Sequence, residues 1–218
     1  MALSVNGILP ADESLARLAA NKARVAEIRE HARQLYEGGA TGVQVAADIS
    51  ASTDAFLSEL LLERLQQLDE GQQSRVAQHS AMIAVGGTGR GELAPFSDVD
   101  LLFLYAPAAG RDYPDFVAHV VRDCWDAGLT LGHSVRTIGE SVGMARQDAQ
   151  VATAVIEARL LWGSQGLFER FQKAVSRKVV GRRRRAFVAA CVASRHAARA
   201  EHRQPVREHE PDVKPPPG

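Results

Sequence analysis

Ala84-Val85-Gly86-Gly87-Thr88-Gly89-Arg90-Gly91-Glu92-Leu93-Ala94-Pro95-Phe96-Ser97-Asp98-Val99-Asp100-Leu101-Leu102-Phe103-Leu104 is the stretch on which the reading of this chain turns. The short apolar run Met82-Ile83-Ala84-Val85 leads into the glycine pair, a pattern that predicts a buried strand ended by a turn. Ten residues later Asp98-Val99-Asp100 opens a second apolar run, and Val99 to Tyr105 is expected to be a second strand. Side chains alternate across a strand, so Asp98 and Asp100 share one face and Val99 takes the other.

The surroundings extend this pattern in both directions. Downstream, Pro107 to Pro114 reads as a loop and Phe116 to Asp126 as a helix ended by Gly128. Leu129 to Thr137 alternates as a third strand, and residues 141–175 turn helical, most clearly from Val151 to Trp162. Upstream, residues 11–37 form a helix stopped by Gly38-Gly39, and residues 41–69 form a second helical stretch. Thr53 or Asp54 is the candidate cap of the last part of that stretch. The order strand, turn, strand, helix, strand predicts an α+β chain, with a small core that helices precede and follow. The expected division is a helical segment at 1–75, the core at 76–175, and a helical extension with a Pro-rich tail at 176–218. That tail, ending Pro215-Pro216-Pro217-Gly218, has the composition of a disordered segment.

Composition narrows the function classes. The 218 residues are 45% hydrophobic, enough for a sizeable core. Twenty-six basic and 26 acidic residues cancel, so no global field favours nucleic acid or a membrane surface. Arg182 to Arg185, with Arg177 and Lys178, read as a solvated helix face, since no aromatic residues are interleaved. Cys124 and Cys191 are far apart and suggest neither zinc nor a disulfide framework. His196, His202 and His209 show no metal spacing. Met1 to Pro10 does not read as a signal peptide, and no apolar run approaches the ~18 residues of a membrane span. A cytoplasmic setting is expected.

The central motif carries the chemistry. Two close carboxylates repel, and a divalent cation removes that cost. Mg²⁺ prefers a few carboxylates plus phosphate oxygens and water. Gly86 and Gly87 let backbone amides approach a phosphate with no side chain in the way, and a short helix starting near Thr88 adds its N-terminal dipole. Arg90 either binds a phosphate or anchors the turn, and Ser97 is expected to fix the loop before Asp98 through a side-chain hydrogen bond. Gly-x-Gly-x-x-Gly is absent in register, so a dinucleotide fold is not indicated. The combination fits Mg²⁺-dependent nucleotidyl transfer.

Val85-Gly86-Gly87 and Asp98-Val99-Asp100-Leu101 resemble the signature of the nucleotidyltransferase superfamily that includes DNA polymerase β. The longer string from Gly86 to Leu102 looks like the N-terminal domain of the bacterial PII uridylyltransferase/uridylyl-removing enzymes. Gly132-His133-Ser134-Val135-Arg136-Thr137 and the stretch from Asp148 to Leu161 resemble later segments of that family. The resemblance is strong over residues 80–175. It implies a polymerase β-like core, with UMP moving from UTP to a tyrosine of the PII signalling protein. It further implies Gly86, Gly87, Thr88, Arg90 and Ser97 around the nucleotide, and Asp98 and Asp100 as catalytic ligands of Mg²⁺. The related adenylyltransferase of glutamine synthetase, using ATP, and a non-catalytic remnant that binds nucleotide or PII are the alternatives. Many superfamily members carry a third carboxylate on the next strand. Here His133 or Ser134 stands there, with Glu140 and Asp148 the nearest acids. The family continues into further domains, so a truncated or split member is expected. Gly87→Val is expected to weaken triphosphate binding by blocking the amide approach, and unchanged affinity in calorimetry refutes that role.

Overall fold

The computed structural model describes residues 11–181, together with 188–189 and 192–193. The opening ten residues, Arg182 to Arg185, Cys191, the three late histidines and the Pro-rich tail lie outside the described residues. The chain is mixed α+β, with one four-stranded sheet in the order β3-β2-β1-β4. β1 is Ser80–Ala84, β2 Val99–Tyr105, β3 Leu131–Arg136 and β4 Arg159–Gly163. β1 runs antiparallel to both β2 and β4, while β2 and β3 are parallel.

Helices α1 (Ala11–Glu37), α2 (Gly42–Leu65), α3 (Glu70–His79) and α5 (Tyr113–Asp126) lie along the first part of the chain. Phe56, Leu57 and Leu60 of α2 and Val117, Val120 and Val121 of α5 share one apolar cluster with Met82, Leu101 and Phe103. The other sheet face, with Ala81, Ile83, Leu102 and Leu104, packs under α6 (Ile138–Gln147), α7 (Ala149–Ile156) and α8 (Gln165–Val175). Alternation along β1 and β2 therefore feeds two cores at once, and a sheet covered on both faces reads as near-continuous apolar runs. A 3₁₀ turn, Pro107–Ala109, follows β2, and a π-helical turn, Ser176–Gly181, follows α8.

The helix over 11–37, the β2 strand and the end of α5 fall where the sequence predicts them. Three expectations are corrected. α2 is a single helix whose cap is Thr41, in a reciprocal capping box with Gln44; Thr53 and Asp54 lie in its interior. α3 is an additional helix, opened by a capping box of Asp69 and Gln72; it buries only Gln72 and Val76, too little for an apolar period. The residue 75/76 division falls inside it. The stretch from Val151 to Trp162 is not one helix: α7 ends at Ile156, and Arg159–Gly163 forms β4 on the open edge of β1. Its apolar residues suit a helix or a strand equally, and pairing with β1 decides. Trp125 is 53% exposed, with its ring edge-on to His133.

Charge and polar pairs lock the layers. Arg64 of α2 forks onto both carboxylate oxygens of Asp123 on α5. Tyr113 is fully buried against Ser80, and burial pushes its hydroxyl pKa up. Burial likewise raises the Cys124 thiol to about 12, which leaves it a packed, unreactive side chain.

Gly163 closes β4 at φ +101°, and a Cβ there would sit 2.4 Å from the Ser80 carbonyl oxygen. Gly163→Ala is expected to cost at least about 2 kcal/mol in urea unfolding. Gly143→Ala, where a Cβ meets nothing within 4 Å, is expected to stabilise by ~0.5–1 kcal/mol. Equal effects of the two would refute the register argument.

Candidate active site

β2 is buried along its length with one interior exception. Asp100 is exposed between Val99 and Leu101, each only 2% exposed. It stands on the face that Leu102 and Leu104 continue under α6–α8, at the uncovered end. Asp98, also exposed, precedes β2 and takes the same side by alternation.

The glycine turn sits beside it. β1 ends at Ala84, Val85 bonds to the Asp100 carbonyl oxygen (3.1 Å), and α4 (Gly86–Arg90) begins at once. Gly86 makes the entry at φ +57°, a backbone conformation costly for other residues. Val85 offers no side-chain cap, so the first amides of α4 are the ones a helix leaves without internal acceptors. These amides and the two carboxylates stand at neighbouring strand ends.

Each remaining candidate has a definite place. Thr88 is buried, and its hydroxyl accepts a hydrogen bond from the Asp100 amide (2.9 Å), tying α4 to the carboxylate-bearing strand. Arg90 pairs with Glu92 (3.1 Å) and Glu157, which hold its guanidinium over the turn and raise its pKa. Ser97 donates to the Ala94 carbonyl (2.9 Å) and fixes the loop before Asp98. The turn before it carries Phe96 at φ 64°, outside the usual range for a side-chain-bearing residue.

Two residues outside the motif, Arg159 and Glu157, hold this turn. Arg159 of β4 donates to the Asp54 carboxylate (2.6 Å), to the Thr88 carbonyl (2.9 Å) and to the Gly89 carbonyl (3.2 Å). Asp54 and Arg159 lie 105 residues apart, so no local pattern announces the pair. Glu157 is the partner of Arg90.

The question of a third acid resolves by register. In the parallel pairing, Asp100 faces Gly132 and Leu102 faces Ser134, so Ser134 is on the carboxylate side. His133 pairs with Leu101 and turns its ring to Trp125. Glu140 accepts from the Thr137 amide and hydroxyl, bonds that hold its carboxyl below its usual pKa. Asp148 caps α7 through the amides of Gln150 and Val151. Both acids are committed to helix starts, and among the described residues no three His, Cys, Asp or Glu side chains converge as a metal cage. The carboxylates left at the open end of β2 are Asp98 and Asp100. Two hard carboxylates beside free space fit Mg²⁺, which takes few protein ligands and completes its shell with phosphate oxygens and water.

A cleft of about 310 Å³ opens from Asp100 between β3 and α7. Among the described residues no helix is long and apolar enough to cross a membrane.

Residues 26–133, from α1 through the start of β3, match the family model described as "Putative nucleotidyltransferase DUF294". The chain carries a nucleotidyltransferase domain. It is homologous to bacterial bifunctional uridylyltransferase/uridylyl-removing enzymes. That of Burkholderia lata is 36% identical over 211 residues, 96% of this chain and 22% of the relative. That of Azospirillum brasilense is 40% identical over 114 residues, 52% of this chain and 12% of the relative. That of Ralstonia nicotianae is 47% identical over 92 residues, 42% of this chain and 11% of the relative. The chain thus spans less than a quarter of the length of each of these relatives.

A Cβ on Gly132 would lie 2.5 Å from Asp100 Oδ1, the mobile end of a side chain. Gly132→Ala is therefore expected to displace the carboxylate rather than the fold. Nucleotidyl transfer should fall about 100-fold, as for a misplaced reacting group, with the melting temperature little changed. Wild-type turnover would show that Asp100 need not hold this position.

Proposed function

We propose that this domain transfers UMP from UTP to a tyrosine hydroxyl of the PII signalling protein, in a cytoplasmic nitrogen-status response, and releases pyrophosphate. The observation that carries the reading is the exposed Asp100 in an otherwise buried strand, with Asp98 on its face and the open start of α4 beside it. The names of the homologues support the uridylyl group, since they are uridylyltransferases.

In this reading the amides at Gly86 and Gly87 receive the triphosphate, and Asp98 and Asp100 hold Mg²⁺. Bound there, Mg²⁺ supplies positive charge against the triphosphate and the departing pyrophosphate. The chain's own residues do the positioning. Thr88 fixes the Asp100 backbone, Ser97 fixes the loop that presents Asp98, and Arg90 sets the turn over which the phosphates lie. The tyrosine oxygen forms a bond to the α-phosphorus, the bond to the bridging oxygen breaks, and pyrophosphate leaves with that electron pair. The phenolic proton passes to solvent. The nucleophile belongs to the partner, so no activated serine or cysteine is required here.

Incubation with labelled UTP, Mg²⁺ and purified PII tests the reading. Label is expected on PII from the wild-type chain and not from Asp98→Asn or Asp100→Asn, each folded by circular dichroism. Absence of label from wild type, or full labelling by either variant, overturns it.

A further inference from the structure

The cleft has a second polar end that the carboxylates and the glycine turn leave unexplained. In the β2–β3 ladder Asp100 faces Gly132, Leu102 faces Ser134 and Leu104 faces Arg136. Paired residues of a ladder share a face, so Ser134 and Arg136 stand on the carboxylate side, with Arg136 about 13 Å further along the strand. Both line the cleft, as does Gln150 of α7. The wall between the two ends is apolar, made by Val85, Leu102, Val151 and Ala154.

Arg136 is half-buried, and its charge acts on the Glu140 carboxylate without a direct hydrogen bond to it among the described residues. The nearby Glu140 carboxylate is spent on the Thr137 cap. The Ser141 hydroxyl at the same end donates to the Thr137 carbonyl (2.9 Å) and is likewise committed. A half-buried guanidinium at the head of an apolar slot presents donors that a ligand's acceptors can take in place of water.

We propose that this end of the cleft reads the nucleobase, with Arg136 selecting the keto edge of uracil over the amino edge of adenine. The inference rests on the nucleotidyltransferase reading of the same site. With the triphosphate at the α4 start and the carboxylates, the nucleoside extends along the slot, where the flat face of the base meets Val151 and Ala154. The span to Arg136 suits the far edge of a base once the arginine side chain folds back. Guanidinium has five donors and no acceptor. Uracil offers it the carbonyl oxygens O2 and O4, whereas the adenine amino group sets donor against donor. Gln150, with both a donor and an acceptor, suits the N3–H beside O4. A site whose polar groups are satisfied by one base and left unpaired by another discriminates strongly.

The test is calorimetric binding of Mg²⁺ complexes of UTP, ATP and inorganic tripolyphosphate to the full chain, wild type and Arg136→Met. Wild type is expected to bind UTP at least tenfold more tightly than ATP. Arg136→Met should lose that preference by weakening UTP at least tenfold, while tripolyphosphate affinity, which also reports an intact fold, stays unchanged. A matching loss of tripolyphosphate affinity in a variant that is folded by circular dichroism makes Arg136 a phosphate ligand and overturns the inference. So does an undiminished UTP preference in the variant, or a wild type without preference. Failure of the wild type to bind tripolyphosphate and every nucleotide is a separate result: it overturns the site reading, and this inference falls with it.

Discussion

The Arg159 guanidinium donates to three acceptors from different parts of the chain: the Asp54 carboxylate on α2 and the carbonyls of Thr88 and Gly89 on α4. A cation against the carbonyls at the end of a helix complements its dipole. The short α4 is thereby held with its amide-bearing start beside Asp100. The Thr88 hydroxyl carries the constraint one step further, to the Asp100 amide. A five-residue helix has almost no stability of its own. Its orientation comes from this strut, from the Arg90–Glu157 pair beside it and from the β1 strand that delivers it.

The sheet divides labour between its faces. One face is wholly structural, with Met82, Leu101 and Phe103 packed against α2 and α5. The other is structural under α6–α8 and opens into the cleft where Asp100 and Gly132 leave room. Because β2 and β3 are parallel, one register sets several features together: the space Gly132 gives Asp100, the side on which Ser134 lies, and the reach of Arg136. A shift by one residue would send all three to the α5 face.

Much of this was legible in the sequence, and the limits have physical causes. β1, β2 and the glycine turn are bounded by apolar runs and glycines close in sequence, so local pattern suffices. Helix α1 and the end of α5 are marked by 3.6-residue periodicity and stopped by glycines. β4 was not legible, because Val151 to Trp162 contains no glycine or proline and its residues suit either state. What makes Arg159–Gly163 a strand is the unpaired edge of β1, some 80 residues earlier in the chain. The same distance hid the task of Asp54, which looks like a cap and is the counter-ion of Arg159. The hydrogen bonds of Thr88 and Ser97 join neighbours of the motif, and the loop-fixing role of Ser97 was within reach of sequence reasoning for that reason.

The place of β4 in the chain has a consequence for biosynthesis. On the ribosome, at ~5–20 residues per second, β1, α4 and β2 emerge seconds before Arg159 does. During that interval Asp54 has no counter-ion, α4 has no strut, and the edge of β1 that β4 will cover is open. An uncovered strand edge is a template for pairing with another chain. The nascent domain is thus most exposed to misassembly while its glycine turn and carboxylate-bearing strand are already made, and β4, on arriving, both covers that edge and sets the glycine turn in place.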